Sequence, residues 1–194
     1  MAITYGDSWV EICNRALDRL GSELIEDLAE GSSNANHCSL LLGQAIEMVV
    51  GDYDWHSLRK RAQLAPAAET PVYGYTYKYL LPADMVTLIE IDNNDNDFSF
   101  EDNYVLTDSD ELYITYVARP TEDMSKLPGK LKTAFQAQLT ALLAAPLHMS
   151  EQSVLLFQRE AADAVMKART EDARRAKDTD GPTLRGFTYH EENR

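Results

Sequence analysis

A chain of 194 residues, 44% hydrophobic and 26% charged, holds enough material for one substantial core, or a core plus a subdomain. Its net charge of -14 argues against tight wrapping of nucleic acid, because phosphate binding draws on Lys and Arg. No apolar run approaches the roughly 18 residues of a membrane span, and the opening MAITYGDSWVEI lacks the basic and apolar regions of a secretory signal, so no membrane insertion is expected.

The charge is unevenly placed. Between Leu80 and Ala118 there is no Lys or Arg, while Asp84, Glu90, Asp92, Asp95, Asp97, Glu101, Asp102, Asp108, Asp110 and Glu111 all fall there. The final helical stretch, Arg159 to Lys177, is slightly basic. Cys13 and Cys38 both fall on predicted helix faces, which reads as buried free thiols rather than a disulfide or a metal framework.

The first predicted helix opens with Ser8-Trp9-Val10-Glu11, which fits a capping box, and carries Trp9, Ile12, Cys13, Ala16, Leu17 and Leu20 on one face. Gly21 suits the positive φ of a helix stop. Glu23 to Glu30 reads as a connector with Ile25 and Leu28 tucked inward. Ser32 or Ser33 then caps the strongest periodic stretch, in which Ala35, Cys38, Leu42, Ala45, Ile46, Val49 and Tyr53 recur at helical steps. The two helices are expected to pack on each other as a hairpin. Arg59, Lys60 and Arg61 read as the solvated basic end of the second helix.

From Ala62 the period changes to two. Tyr73, Tyr75, Tyr77 and Tyr79 alternate and predict a strand with four tyrosines on one face. Met85 to Ile91 predicts another, DNNDND a polar loop, and Tyr104 to Thr107 is expected to form a hairpin with Leu112 to Val117 across Asp108-Ser109-Asp110. Pro128 opens a third helix with Leu131, Ala134, Phe135, Leu139, Leu142 and Leu143 as its core face, ended or kinked by Pro146. Ser150 caps a fourth, with Val154, Phe157, Ala161, Ala164, Val165 and Ala168 inward.

The expected fold is therefore α+β: an antiparallel bundle of four main helices with a small antiparallel β-sheet subdomain inserted, and an extended C-terminal tail. Residues 1–60 and 119–177 form the helical domain, 61–118 the β-rich insert and 178–194 a flexible tail.

No site declares itself in the sequence. With Asp92 as the first position of a calcium-binding EF-hand loop, Asn94 and Asn96 fall on ligand positions. Asp97 then stands where the turn glycine belongs and Asn103 where the bidentate glutamate belongs, so a solvated loop is the better reading. His37, His56, His148 and His190 are scattered without metal-ligand spacing. Glu11 and Glu47 are the carboxylates a cell-wall-cleaving (muralytic) enzyme on the helical hairpin would use, yet nothing fixes their separation. No catalytic residue, metal or cofactor is expected.

Leu17-Asp18-Arg19-Leu20-Gly21, the Glu30-Gly31-Ser32 segment, Ala35-Asn36-His37-Cys38 at the second helix, and Trp55 with its following basic cluster recur in this order and spacing in one family. So do a tyrosine strand closing on Leu80-Leu81-Pro82-Ala83-Asp84 and a strand Tyr113-Ile114-Thr115-Tyr116. Over about three quarters of its length the chain resembles the head-to-tail adaptors of short-tailed bacteriophages, the family of tail tubular protein A, also called gatekeeper or head completion protein. His56 departs from the pattern, which often has Phe or Tyr there.

The resemblance implies a structural virion protein without a cofactor, assembled in the host cytoplasm. It would form a twelve-fold ring on the portal protein and join it to the tail nozzle, a tail tubular protein B-like partner, while DNA passes through as cargo. One branch of the family is credited with peptidoglycan cleavage, and no residue here carries that activity over. The resemblance further implies a C-terminal docking element, which places Leu184, Arg185, Phe187 and Tyr189 on the portal. Asp95, Asp97 and Asp102 would face either the lumen, repelling phosphate, or the solvent outside the ring. A different class, a host-directed interaction protein, would show no association with capsid parts.

Overall fold

In the computed structural model, residues 8–51, 53–92, 97–121 and 124–179 are described, and among them lie four α-helices and six strands. Helix α1 (Trp9–Arg19) starts where the Ser8 hydroxyl accepts the Glu11 amide at 3.2 Å. It stops in a Schellman turn: Gly21 N–H donates to the Asp18 carbonyl and Ser22 N–H to the Leu17 carbonyl, each at 3.0 Å, with Gly21 at φ +68°. Only glycine adopts that φ without crowding a Cβ, so Leu-Asp-Arg-Leu-Gly is a stop signal written in backbone geometry.

The connector then folds back on α1. Asn14 donates to the Ile25 carbonyl and accepts from the Ile25 amide, both at 2.8 Å, and Ile25 is buried beneath. Helix α2 (Ser33–Val50) opens on the Ser32 hydroxyl, which accepts the Ala35 amide at 3.1 Å, and buries Ala35, Cys38, Ala45, Ile46, Val49 and Val50.

The expected α1–α2 hairpin does not form. Both helices pack chiefly on α3 (Gly129–Leu143), and they touch each other only slightly. The reason lies in α3, which buries Leu131, Ala134, Phe135, Leu139, Ala141 and Leu143 together with Lys132 and Thr140, more than one face of a helix. Trp9 meets Phe135 edge-on, with ring centroids 5.4 Å apart. Helix α4 (Glu151–Thr179) lies along α3 in the opposite direction, so that Lys130 at the start of α3 reaches Glu171 late in α4 at 3.4 Å. Between the two helices the chain turns through His148 at φ +57°, with Pro146 past the last helical residue.

The strands are β1 (Arg59–Leu64), β2 (Tyr77–Leu80), β3 (Met85–Asp92), β4 (Phe98–Glu101), β5 (Tyr104–Thr107) and β6 (Leu112–Ala118). They form two antiparallel sheets of three, in the orders β1-β6-β3 and β2-β5-β4. Here the structure overturns the expected architecture: about 45% helix and 21% strand make a mixed α+β fold and not a helical bundle with a small sheet inserted.

Three local features explain the difference. Arg59-Lys60-Arg61, expected as a helix end, opens edge strand β1, where outward charges cost nothing. The tyrosine strand shortens to Tyr77–Leu80 because Gly74 takes φ +89° and leaves Tyr73 exposed. The expected β5–β6 hairpin is not made: the two strands belong to different sheets, and Asp108-Ser109-Asp110 is the corner between them. Ser109 is buried there, its amide donating to Thr107 Oγ1, its hydroxyl to the Glu111 carbonyl, and its own carbonyl accepting from the Tyr79 hydroxyl at 2.9 Å. A corner pinned at Ser109 by three hydrogen bonds turns the chain between sheets where a free turn would have closed a hairpin.

Two cores result. The larger gathers residues of all four helices with Trp55, Leu58 and Val117. The smaller lies between the sheets and holds Tyr79, Leu81, Val105, Leu112, Ile114, Tyr116 and Ala118.

Candidate functional site

One part of the resemblance, Trp55 with its basic cluster, stands at the joint where α2 ends and β1 begins. Residues 17–21 end α1 and residues 32–38 open α2 elsewhere in the fold. Trp55 is fully buried; its indole N–H donates to the Val49 carbonyl at 2.9 Å, satisfying one of the acceptors a helix end leaves open. Its ring stands edge-on to Tyr53, centroids 4.8 Å apart. A single 3-10 turn, His56–Leu58, follows, and its first two amides are held from far along the chain. Asp172 of α4, 2% exposed, accepts the His56 amide at 2.7 Å and the Ser57 amide at 3.0 Å. One turn earlier on α4, the Arg169 carbonyl accepts from the Tyr53 hydroxyl at 3.3 Å, and the Arg169 guanidinium lies 5.2 Å over the Tyr53 ring. The joint thus ties α2, β1 and α4 together.

Serine, histidine and aspartate side by side invite a test for a nucleophilic triad. The Asp172 carboxylate is taken by two backbone amides, and among the described residues neither the Ser57 hydroxyl nor His56 Nδ1 has a hydrogen-bond partner. A triad needs the base on the nucleophile and the acid on the base, and neither link is made. Of the carboxylates weighed for cell-wall cleavage, Glu11 accepts from Arg15 at 2.7 Å and Glu47 is in an ion pair with Arg119. They sit on two helices that barely touch.

Among the described residues no group of three or more His, Cys, Asp or Glu is placed to hold a metal ion. Asp97, tested as part of a calcium loop, instead accepts from the Tyr75 hydroxyl at 3.3 Å. Cys13 and Cys38 are buried free thiols. The hydrogen bond with Cys38, together with burial, pushes the Cys13 thiol far above its ordinary range, which leaves it a poor nucleophile.

The acid-rich segment divides between the sheets. Asp84 is compensated: Lys60 reaches it at 2.6 Å and the Tyr116 hydroxyl at 3.1 Å, and these bonds, Lys60 first, hold its carboxyl below the usual range. Asp108 is occupied by the amide and hydroxyl of Thr76, both at 2.8 Å. Glu90 and Asp92 line an open depression on the first sheet beside Arg61, Gln63, Tyr113 and Thr115. Asp97 and Asp102 stand at the two ends of β4, both exposed, and Asp102 takes φ +53° in the two-residue turn to β5. Asp95 and the tail residues Leu184, Arg185, Phe187 and Tyr189 lie outside the described residues.

Sequence reasoning missed Asp172 and Asn14, the two polar side chains that do most to fix the joint and the connector. Asp172 had one signal: it continues the inward stripe of Phe157, Ala161 and Ala168 by four residues, a place where an acid must have a partner. It also missed the exposed aromatic pair Phe98 and Phe100 on β4, whose rings meet edge-on at 5.6 Å.

No helix among the described residues is long and apolar enough to cross a membrane. A scan against models of protein families finds no match, and a search of curated proteins finds no relative.

Proposed function

We propose that this chain is a structural virion protein, a head-to-tail connector that docks as a ring on the portal and joins it to the tail nozzle while DNA passes through the centre. The observation that carries the reading is the structural use of the residues on which the resemblance rests. These are the Leu-Asp-Arg-Leu-Gly stop, the Ser32 cap with Ala35 and Cys38 behind it, and Trp55 with its basic cluster. All of them serve as caps, core contacts and strand starts. Residues used this way suit a scaffold that must hold its form under load.

In this reading the ring has twelve copies, the segment holding Leu184, Arg185, Phe187 and Tyr189 seats on the portal, and Asp97 and Asp102 present carboxylates to passing DNA or to the outside solvent. A carboxylate-lined passage repels phosphate and lets the duplex move without sticking.

The test is native mass spectrometry of the purified chain with the portal protein encoded in the same genome. The expected result is a mostly monomeric free chain at micromolar concentration and twelve copies per portal ring, with binding sharply weakened when residues after Lys177 are deleted. A full-length chain that leaves portal rings bare at micromolar concentration overturns the reading.

A further inference from the structure

Strand β4 and helix α4 each expose an apolar surface that no other described residue covers. β4 is an edge strand, paired on one side only with β5. By register Phe100 lies across from Val105 and Phe98 across from Thr107, so both phenylalanines share the face that carries buried Tyr79 and Val105. Yet they overhang the inter-sheet core and remain 39% and 52% exposed for Phe98 and Phe100. Their rim is acidic: Asp97 precedes the strand, and Glu101 and Asp102 close it, all exposed.

Helix α4 has a second stripe opposite its core face. Leu155, Arg159, Ala162 and Met166 follow one another at steps of four, three and four, which places them on one side of the helix, and all are exposed. Leu155 is 56% and Met166 60% exposed, with Leu156 beside them at 51%. A helix with apolar residues on two sides belongs between two partners, and among the described residues only one is present. Arg159 forms no ion pair among the described residues.

We propose that these two surfaces are the halves of one contact between copies of this chain: the outward stripe of α4 from one copy seats on the β4 edge of the next. The occupant is chosen by complementarity. Leu155 and Met166 extend the core that Phe98 and Phe100 overhang, and Arg159 meets both the acidic rim and the aromatic faces, where a guanidinium gains from charge and ring together. Because the two halves are different surfaces, the contact is heterologous, and each copy keeps one free half to pass on. This inference stands on exposed residues alone and does not depend on the portal reading.

Sedimentation velocity of the full chain from about 10 μM to 1 mM, at low and high salt, tests it. Concentration-dependent species larger than a dimer are expected, weakened by salt. Phe98→Ser with Phe100→Ser, and separately Arg159→Glu with Met166→Ser, are each expected to weaken association at least roughly tenfold. Circular dichroism should stay that of the parent for both variants, and so should the melting midpoint of the α4 variant. The β4 variant loses partly buried aromatic surface and is compared with the parent well below its own melting midpoint. An equimolar mixture of the two variants should give a one-to-one dimer that grows no further, because one intact half from each remains. A chain monomeric throughout, association that both variants leave unchanged, or loss with only one of them overturns the proposal.

Discussion

The helical half and the sheet half hold themselves together by different means. Among the described residues the larger core buries 26 residues, mostly aliphatic or alanine, around one central helix; the smaller buries seven. Seven buried residues remove too little apolar surface to fix a fold alone. The sheet half compensates with polar pegs: Tyr79 to Ser109, Thr107 to the Asp97 carbonyl, Thr76 to Asp108, and Lys60 and Tyr116 to Asp84. Hydrogen bonds are directional where apolar contact is not, so the small core gains definition more than strength. The sheet half should then open first, at a lower free energy than the helices.

Substitutions can break or sharpen this contrast. The largest effect is expected for Trp55→Ala, which empties a fully buried site and removes the donor to Val49; it should cost about 3–5 kcal/mol and lower the melting midpoint of the whole chain. A local effect confined to β1 would show that the joint does not couple the halves. Tyr79→Phe deletes one peg without changing volume and should cost about 1–2 kcal/mol. Native-state hydrogen exchange should show the loss in β2, β4 and β5 while α3 keeps its protection; equal loss in α3 would mean that the two cores unfold as one.

The smallest effect is expected for Asp84→Asn, and it carries a pH signature. Lys60 and Tyr116 hold the folded Asp84 carboxyl below its unfolded value, so its contribution is present above the unfolded pKa and is lost as pH falls through the folded one. The pair is half-exposed, so solvent screening limits it to about 0.2–1 kcal/mol. Urea titrations should find the variant weaker than the parent near neutral pH and equal to it well below pH 4, where both side chains are uncharged. A difference that persists in acid would assign the effect to packing.

The helices were legible in the sequence because each cap and stripe is local: Ser8, Gly21, Ser32 and the inward positions of α1 and α2 all lie within a few residues of what they control. What was not legible is set at long range. That β5 and β6 part company depends on Tyr79 reaching Ser109, thirty residues on, and no period in either strand records it. β1 was hidden by its own charges, which an edge strand tolerates and a central strand would not. Of the candidate site, the Trp55 region was marked by resemblance, but its anchor Asp172 lies 116 residues beyond His56 and reads locally as one more helix charge.

That separation has a consequence for how the chain is made. The two amides that start the turn into β1 wait for a carboxylate synthesised near the end of the chain. At about 5–20 residues per second the interval is roughly 6–23 s. During that time β1 already exists as a charged, unanchored edge, and its partner β6 appears before the anchor does. The order of synthesis therefore lets the sheets assemble first and be clamped to the helices last. A chain halted before Asp172 would have most of its secondary structure encoded and one fastening between its halves still missing.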